Sequence, residues 1–560
     1  MKTKLKTIIE LIIRFVLIAA MLVGSGSLMA LLIRFPFLPD KYVILTGVVL
    51  FLVNFGLIFL QMFKKIKPKI KWAGKLIIVV LTAALFFTNA YVLKTEKFIQ
   101  GITEELYDTD TVSLIVLVDS EHEELDDIID EKLGIDDDEE HHIVQVLADI
   151  QASIEKPLDL VEYTDHYSLV EGLYQEEIAG IFINEAYREL IEEEYPEFTY
   201  ETKVIYNVDV KTLIESEKGV EVTTTPFNLY ISGIDVYGAI TRRSRSDVNI
   251  LMTVNPITKV ILLTTIPRDS YLPLGCIVGR PKDKLTHAAI YGVDCSIKTM
   301  ENAFGIDINY YARVNFTSVV KLVDAIGGIE VEATHDFTTN DKIKFTKGLN
   351  YVDGKGALSF ARDRKHQSSG DEDRGKNQLK VISAIFNKVI SPKILTNYVN
   401  ILNAMQDNFQ TNMPYSSILA LGKMQLNDMA NWKIITNNVQ GRYGTDFSYA
   451  MYRYLSMFYP NQASLKNASQ LILQNLAGSL IEQPEPHKFP LEPLPQQTPD
   501  PRPPKEEEIE NGNGVEEPED PGNGNGGEDP GNGNGGEDPG NGGEDPGNGN
   551  GDDSTSNGSE

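Results

Sequence analysis

The chain has 560 residues and a formal net charge of −29 at pH 7, from 80 acidic and 51 basic side chains. Seventeen of the acidic residues lie after residue 505, which leaves −12 for the first 505 residues. A nucleic-acid-binding protein carries a basic face, and this sequence suggests none. We therefore expect no nucleic-acid partner, and the length allows two or three domains plus appendages.

Three long apolar runs occupy the first hundred residues. They extend over about 15–33, 42–63 and 76–93. Each is close to the roughly 20 residues that a helix needs to cross the apolar core of a bilayer. A cleaved signal peptide is the alternative for the first run, but no clear small-residue cleavage site follows it, and two more apolar runs do. We predict a membrane domain over residues 1–97 with three transmembrane helices.

The connections between these helices predict their orientation, because Lys and Arg are retained on the cytoplasmic side. The N-terminus carries three lysines in its first six residues, and the connection after the second helix carries six lysines between 64 and 75. The connection after the first helix has only Arg34 and Lys41, offset by Asp40. We expect a multi-pass cell-membrane protein with a cytoplasmic N-terminus and everything after Leu93 outside.

Residues 98–226 are predicted to form a small extracellular α/β domain. Its clearest elements are strands at 111–118 and 180–183 and helices at 143–154 and 185–194. Acidic runs in this segment suit either a bound cation or, more simply, a solvated surface. Because we find no set of catalytic side chains here, we interpret the segment as an accessory domain.

Residues 227–481 are predicted to form a second module with a central mixed sheet between helices, an α/β/α arrangement. The expected strands are 227–231, 248–254, 260–266, 310–314 and 329–333, and the expected helices are 318–325, 353–362, 379–390, 394–405 and 416–426. A turn of sequence NPIT separates the second and third strands, which favours a hairpin.

Residues 482–560 differ in composition from the rest of the chain. They begin with a proline-rich stretch and continue as a repeat of the form EDPGNGNGG. Such a sequence buries too little apolar surface to offset the entropy lost on ordering, so we predict a disordered tail. An extension through a cell-wall matrix and a plain solubilising extension are both compatible with this composition.

The two cysteines, Cys276 and Cys295, fall on the predicted outer side of the membrane, where thiols oxidise. No Cys-His pattern of zinc spacing accompanies them. We expect a disulfide between them that pins the loop following Asp269.

Arginines and aspartates gather in three segments of the second module, RRSRSD at 242–247, IPRD at 266–269 and ARDRKHQSSGDEDRGKNQ at 361–378. Arginine is permanently charged and offers a planar fork of donors, so arginines that converge from separate segments suit phosphate or pyrophosphate. Aspartates among them suit the metal ion that such a ligand brings. A surface salt bridge explains any one of these arginines better, but the set predicts an anion site.

The predicted elements bring these segments to one edge of the sheet. Pro267 should end its strand and present Arg268 and Asp269 at the carboxyl end, where open α/β sheets bind ligands. The helix before Arg362 should end there, which lets Arg362 and Arg364 face one ligand.

The third segment continues into another helix. Asp371 and Asp373 are plausible N-caps for it. Arg374 and Gln378 are four residues apart, so they share one face of this helix. A helix start is also a favourable position for an anion.

The order of six motifs resembles the LytR-CpsA-Psr family. The motifs are GID at 233–235, RSD at 245–247, IPRDS at 266–270, KLTHAAIYG at 284–292, VNFTSVVKLVDAIGGIEV at 314–331, and ALSFARDRK followed by GDEDRGKNQ within 357–378. The resemblance covers residues 227–390. Three membrane spans followed by an accessory domain resemble the capsule-associated members in Gram-positive bacteria.

The resemblance implies a LytR-CpsA-Psr domain of α/β/α type that acts as a phosphotransferase at the outer membrane face, dependent on Mg²⁺ or Mn²⁺. Such an enzyme moves a glycopolymer, here expected to be capsular polysaccharide, from a polyprenyl-pyrophosphate carrier to peptidoglycan. The implied partners are that lipid-linked polysaccharide, peptidoglycan, membrane lipid and capsule-assembly membrane proteins. Two alternatives stay open, a pyrophosphatase acting on the same lipid and a non-catalytic membrane regulator of capsule assembly.

The resemblance also implies a role for each matching residue. The implied metal ligands are Asp235 and Asp247. The implied pyrophosphate ligands are Arg245, Arg268, Lys284, Arg362, Arg364, Arg374 and Gln378. The implied catalytic residues are Arg268, Arg362, Arg364, Asp269 and Asp371, and either of the two aspartates would serve as base. The carrier lipid is expected against the apolar face of Val319, Val320, Leu322, Val323 and Ile326, although ordinary core packing explains any one of these side chains better.

This chain departs from the family pattern at two positions. Asn377 stands where an arginine often precedes the glutamine, and Lys376 restores the charge but not a bidentate fork. Val248 replaces a frequent threonine, which removes a possible hydroxyl contact.

Overall fold

The computed structural model describes residues 2–34, 38–104, 107–136, 143–154, 156–214, 219–234, 240–363, 371–390, 409–485 and 487–500. Residues 1–500 form one compact unit. The predicted helix at 394–405 and residues 501–560 of the predicted tail lie outside the described residues.

Three long apolar helices begin the chain, α1 (Lys2–Arg34), α2 (Asp40–Met62) and α3 (Pro68–Glu104). Each contains a stretch long and apolar enough to cross a membrane, with mean hydropathies of 2.4, 2.7 and 2.3. Large apolar side chains such as Phe51 and Phe87 point away from the protein, as lipid-facing side chains do. The three predicted helices are present, and α3 continues past its predicted end towards the accessory domain.

Some polar side chains inside this helix bundle form hydrogen bonds with one another. The side-chain amide of Asn54 donates to the Ser25 hydroxyl at 3.0 Å. The amide of Asn89 donates to the Ser27 hydroxyl at 2.8 Å and to the Gly24 carbonyl at 3.1 Å. Polar groups that face each other between helices are typical of membrane bundles, because lipid offers them no partner.

The accessory domain is the small α/β domain that the sequence predicts. Its strands are β1 (Tyr107–Leu117), β2 (Lys132–Asp136), β3 (Asp159–Tyr163), β4 (Gly180–Asn184) and β5 (Thr202–Leu213). Its helices are α4 (Ile143–Ile154), α5 (His166–Tyr174), α6 (Arg188–Glu194) and α7 (Phe198–Glu201). The strands form one sheet in the order β3-β2-β4-β1-β5, in which β1 is antiparallel to both neighbours.

The second module contains the remaining elements. Its strands are β6 (Phe227–Ile234), β7 (Ser246–Asn255), β8 (Val260–Ile266), β9 (Tyr271–Pro273), β10 (Lys282–Lys284), β11 (Tyr310–Asn315), β12 (Ile329–Ala333), β13 (Phe337–Thr338), β14 (Lys344–Phe345), β15 (Gly348–Val352), β16 (Phe409–Thr411), β17 (Lys433–Asn438), β18 (Gly441–Ser448) and β19 (Arg453–Pro460). Its helices are α8 (Leu285–Ala288), α9 (Val293–Phe304), α10 (Phe316–Ala325), α11 (Gly354–Arg362), α12 (Asp371–Ile390), α13 (Tyr415–Asp428) and α14 (Gln462–Leu476).

The main sheet of this module has the order β16-β11-β6-β7-β8-β17. β6 is parallel to β11 and antiparallel to β7, while β8 is antiparallel to β7 and parallel to β17. The carboxyl ends of β6, β8, β11 and β17 therefore meet the amino end of β7 at one edge, which we call the carboxyl edge. Apolar clusters pack α9 and α14 on one face and α12 and α13 on the other, so the predicted α/β/α arrangement is confirmed.

Cys276 and Cys295 form the predicted disulfide, with Cα atoms 4.8 Å apart. Cys276 lies in the loop between β9 and β10, and Cys295 lies in the first turn of α9. Closing a loop of this length contributes roughly 3 kcal/mol to stability on the chain-entropy model. The bond ties the β9–β10 loop to the helical face of the module.

The proline-rich segment after Ile481 packs against the second module, whereas the sequence predicted disorder from residue 482. The carbonyl oxygens of Pro490 and Glu492 accept hydrogen bonds of 2.8 Å from the side chains of Asn461 and Arg442. Proline lacks an N–H but keeps its carbonyl, so such a segment can bind through acceptors alone. The predicted boundary is therefore too early, and we call residues 487–495 the strap.

Candidate functional site

The carboxyl edge of the main sheet carries four of the predicted site residues in direct contact. Arg268 Nη1 donates to Asp247 Oδ1 at 2.7 Å. Asp269 lies between two cations, with its Oδ2 3.8 Å from Arg268 Nε and its Oδ1 3.4 Å from Lys284 Nζ. Pro267 has no N–H to continue the ladder of β8, so the chain turns out of the sheet and presents these side chains at its edge.

The Asp247 carboxyl is held in its ionised form. Burial alone would raise its pKa, but Arg268, Arg374 and Arg245 outweigh burial and lower the pKa below its usual range. Asp247 is therefore a carboxylate at neutral pH. Because Arg374 and Arg245 contribute to this lowering of the pKa, both interact electrostatically with the Asp247 carboxylate.

The first turns of α12 bring Arg374 and Gln378 to the same edge. A Cβ added at Gly375 would lie 3.3 Å from side-chain atoms of Thr265 and Asn438, near the carboxyl ends of β8 and β17. Glycine thus allows the helix to approach the sheet closely at this point. Arg374 and Gln378 are both buried in the resulting interface.

Two buried amide groups beside this contact have unused donors. Asn377 Nδ2 and Asn438 Nδ2 have no hydrogen-bond partner among the described residues. A buried donor without a partner costs free energy, so it favours binding of an acceptor such as a phosphate oxygen. Asn377, which stands at a departure from the family pattern, thus keeps a donor at the site although it lacks the arginine's charge.

Arg362 lies at the same edge on the side of β11. It is the last residue of α11, as predicted, and its guanidinium lies 4.8 Å from the ring centroid of Phe316. Phe316 directly follows β11, whose last residue, Asn315, is in register with Ile234 of β6. Asp235, Arg364 and the side chain of Asp371 fall outside the described part of the chain, so their predicted roles stay predictions.

Arg245, predicted to contact pyrophosphate, is held by the accessory domain. Its Nε and Nη2 donate to Glu189 Oε2 at 3.0 and 2.8 Å, and its Nη1 pairs with Glu193. Both glutamates belong to α6. All three guanidinium nitrogens of Arg245 therefore face carboxylates of α6, and Arg245 acts on Asp247 through its charge.

Two further arginines join the accessory domain to the second module. Arg243 Nη1 lies 2.9 Å from Asp110 Oδ2, and Arg313 Nη1 lies 2.7 Å from Asp108 Oδ1. All four side chains are buried, and the Asp108 carboxylate also accepts from the Val293 main-chain N–H at 3.1 Å. Sequence reasoning missed Asp108 and Arg313, because both lie outside the three segments rich in arginine and aspartate, and their pairing partners are distant in the sequence.

A buried polar network supports the strand that carries Lys284. The Asp283 carboxylate contacts His287 Nδ1 at 2.9 Å and accepts from the Ser448 hydroxyl at 2.9 Å and from the Ala450 main-chain N–H at 2.7 Å. Burial opposes ionisation of Asp283, but His287 and these main-chain donors lower its pKa below the usual range. The network thus fixes β10 against β18 beside the carboxyl edge.

An apolar cluster flanks the edge on the side of α10 and α11. The rings of Phe337, Phe345 and Phe360 pack together at its centre, with centroids 4.9 to 6.0 Å apart. Val323 and Ile326, from the predicted lipid-facing side of α10, are buried in this cluster, while Val319 and Leu322 are only partly buried around it. The cluster is separate from the two cores that cover the main sheet.

The arrangement can bind an anion at one edge, and a packed apolar cluster lies beside it. Arg268, Lys284 and Arg374 supply positive charge, and the two free amide donors supply hydrogen bonds. Among the described residues, no group of three or more His, Cys, Asp and Glu side chains could hold a metal ion. Val248, the other departure from the family pattern, packs against Gly233, where an added Cβ would lie 2.7 Å from the Val248 Cβ.

Comparison with known proteins gives the same family for the second module and for the end of the accessory domain that precedes it. The family model described as "LytR_cpsA_psr family" matches residues 197–470. A polyisoprenyl-teichoic acid–peptidoglycan teichoic acid transferase TagU of Bacillus cereus is 36% identical over 208 residues, which are 37% of this chain and 66% of the relative. The chain thus spans just under two thirds of that protein.

The chain covers a larger share of a second relative. The protein of the same name from Bacillus mycoides is 34% identical over 242 residues, which are 40% of this chain and 78% of the relative. Among solved structures, that of B. subtilis TagV matches with 26% identity and a TM-score of 0.39, covering 46% of this chain and 99% of that one.

Proposed function

Since this chain belongs to the LytR-CpsA-Psr family, we propose that it transfers a glycopolymer from a polyprenyl-pyrophosphate carrier to peptidoglycan. The observation that carries the proposal is the convergence of Arg268, Arg374 and Lys284 at the carboxyl edge, directly beside a separate apolar cluster. A lipid-linked pyrophosphate needs a polyanion site and an apolar surface, and Val319 and Leu322 are partly exposed at the border of this cluster. The names of the relatives, which refer to teichoic acid and peptidoglycan, support the same class of reaction.

The reaction we propose is an in-line displacement at phosphorus. A peptidoglycan hydroxyl oxygen bonds to the sugar-linked phosphorus, the bridging P–O bond breaks, and polyprenyl phosphate leaves. The hydroxyl proton passes to a carboxylate, for which Asp269 and Asp371 are the candidates. Such a displacement needs charge neutralisation and alignment more than a protein nucleophile, and Arg268 is held in place for both by its bond to Asp247.

The Asp247 carboxylate at the edge supports binding of a magnesium ion. Mg²⁺ is held in proteins by one or two carboxylates together with substrate phosphates and water, and Asp247 is an ionised carboxylate. We propose that Asp247 and Asp235 hold the ion, which would neutralise part of the pyrophosphate charge. With or without the ion, the hydrogen bond from Arg268 orients the Asp247 carboxylate.

The polymer and the location belong to the same proposal. We propose capsular polysaccharide as the polymer, and transfer assays with capsular and teichoic acid donors would distinguish it from the polymer named for the relatives. We also propose that the C-terminal module lies outside the cell of a Gram-positive bacterium. Lys423 Nζ lies 2.9 Å from Asp40 Oδ1, which supports this topology because it places α13 beside the Lys-poor connection between α1 and α2.

A transfer assay with the full chain in detergent tests the proposal. With a polyprenyl-pyrophosphate-linked polymer and peptidoglycan, we expect covalent attachment of the polymer together with release of polyprenyl phosphate. Arg268→Ala should lower the rate at least about a hundredfold, as removal of a single transition-state donor does in other enzymes. Arg280→Ala, an exposed arginine in the β9–β10 loop, is the matched control and should not change the rate.

Other outcomes would identify the alternatives. Phosphate release without attachment to peptidoglycan would show a pyrophosphatase. If wild type and Arg268→Ala both lacked transfer activity while capsule assembly in cells still required the chain and tolerated that substitution, a non-catalytic regulator would be the correct interpretation.

A further inference from the structure

A groove of 960 Å³ lies between the strap and the second module, next to the carboxyl edge. Its walls come from β9, β10, the hairpin of β18 and β19, the start of α14 and the strap itself. On the side of α12 it reaches Lys376, two residues beyond Arg374. The groove therefore borders α12, the helix that carries Arg374 and Gln378, and the strap, which forms one wall, lies beyond the family match at 197–470.

The charge of this groove is opposite to that of the chain. Its lining includes the cationic residues Lys282, Lys376, Arg442 and Lys488. Among the described residues that line it, Glu492 is the only carboxylate, and both oxygens of that carboxylate face the Gln462 main-chain N–H at 3.1 and 3.3 Å. In a chain with 80 acidic and 51 basic residues, such a local excess of cations favours an anionic ligand.

Aromatic rings give the groove a second property. Tyr271 and Tyr459 lie in an edge-to-face pair with ring centroids 5.7 Å apart, and Phe489 of the strap lines the same space. Rigid rings with polar tips, together with a few cations, suit a ligand that presents both apolar ring faces and charge. A sugar chain that carries phosphate or carboxylate groups has this character.

Two sugar chains take part in the proposed reaction, the polymer of the donor and the peptidoglycan acceptor. The position of the groove favours the polymer of the donor. The apolar cluster proposed for the carrier lipid belongs to α10 and α11, which follow β11, whereas the groove is lined by residues that follow β8 and β17 in the chain, such as Tyr271 and Gln440. Three strands, β6, β7 and β8, separate β11 from β17 in the sheet. A donor whose lipid lies on the β11 side and whose pyrophosphate sits at the carboxyl edge would extend its polymer towards the groove.

We propose that the groove under the strap binds the anionic polymer of the donor. This inference rests on the proposed function, since it takes the pyrophosphate site as its starting point. The strap completes the groove, because its main-chain carbonyls are bound by Asn461 and Arg442 while its Lys488 and Phe489 line the space. The proline-rich segment thus acts as part of a binding site before the acidic repeat begins.

Binding measurements with the full chain in detergent test the groove. The probe is a glycerol phosphate oligomer of about ten units, compared with a neutral dextran of similar length. We expect the phosphate oligomer to bind more tightly, with an affinity that falls as salt is added. The double variant Lys282→Gln/Lys488→Gln changes two exposed side chains and should weaken binding about tenfold, while Lys466→Gln on the exposed side of α14 should have no effect.

Two further arms separate this inference from the proposed function. Farnesyl pyrophosphate should bind the unaltered chain and be lost in Arg268→Ala; failure of that arm would contradict the pyrophosphate site itself. If that arm succeeds but the double variant binds the phosphate oligomer as well as the unaltered chain does, the groove assignment is wrong. If the double variant instead loses only binding of soluble peptidoglycan fragments, the groove holds the acceptor and the donor assignment is overturned.

Discussion

At the scale of single residues, the buried Asp283 carboxylate is the group whose loss should destabilise the site most. It accepts hydrogen bonds from Ser448 and from the Ala450 main chain and contacts His287. Asp283→Asn removes the charge and leaves a buried donor facing other donors, so we expect unfolding to become easier by about 3 kcal/mol. Thermal or denaturant unfolding of the full chain in detergent measures this, with the exposed Asp149→Asn as the matched control.

The ionisation of Asp283 also predicts how the difference in unfolding free energy between wild type and Asp283→Asn depends on pH. The folded pKa of Asp283 lies below its usual value, so its stabilisation is fully present above the unfolded pKa of about 4 and is lost as the pH falls through the folded pKa. The gap between wild type and Asp283→Asn should therefore shrink as the pH falls below about 4. A gap that stayed unchanged down to about pH 2 would contradict the assigned ionisation of Asp283.

At the scale of elements, α6 of the accessory domain controls the charge at the carboxyl edge. Glu189 and Glu193 occupy the guanidinium donors of Arg245, and so they compete with any phosphate for that side chain. Neutralising both, in Glu189→Gln/Glu193→Gln, should lower the KM for the lipid-linked donor two- to fivefold at low ionic strength, with kcat little changed. Steady-state transfer assays measure this.

A nearby glutamate provides the control for this prediction. Glu197 is exposed at the start of α7 and makes no side-chain cap, so Glu197→Gln should leave KM unchanged. A rise in KM for the double variant would show instead that the two glutamates position Arg245 for the donor.

The strands that could be predicted from the sequence are those marked by a pattern of neighbouring residues or by a turn. β8 and β12 match their predicted bounds, since each is an apolar or alternating run closed by a turn or by Pro267. β17, with the sequence KIITNN, was missed because it is polar and exists as a strand through parallel pairing with β8, some 170 residues earlier in the chain. Pairing at that separation leaves no local pattern in the sequence.

The same distinction between local and long-range signals explains the site. The Asp247–Arg268 pair lies at the edge where strand order and Pro267 predict it, and α11 ends at Arg362 as expected. The partners of Arg245 could not be predicted, because Glu189 and Glu193 lie more than fifty residues away in another domain. The strap was assigned to the tail because proline-rich composition predicts disorder, whereas its carbonyls find donors on the second module.

At the scale of the whole molecule, two contacts join the second module to the membrane domain. Lys423 on α13 pairs with Asp40, and Lys41 Nζ donates to the Asn427 carbonyl at 2.8 Å. Leu419 of α13 also joins the apolar cluster of the membrane helices. The connection between α1 and α2 therefore lies beside the second module, at one end of the membrane helices. The Lys-rich connection between α2 and α3 lies at the opposite end of α2, whose 23 residues span about 35 Å.

This arrangement predicts which positions can be labelled from outside the cell. The two cysteines are paired in a disulfide, so a single cysteine can be introduced without a competing free thiol. In intact cells, Leu480→Cys, at a position 88% exposed in the second module, should react with a membrane-impermeant maleimide. Lys67→Cys, in the connection between α2 and α3, should react only after permeabilisation, because Lys-rich connections are retained inside. Labelling of Lys67→Cys in intact cells would reverse the proposed orientation and place the carboxyl edge in the cytoplasm, where peptidoglycan is out of reach.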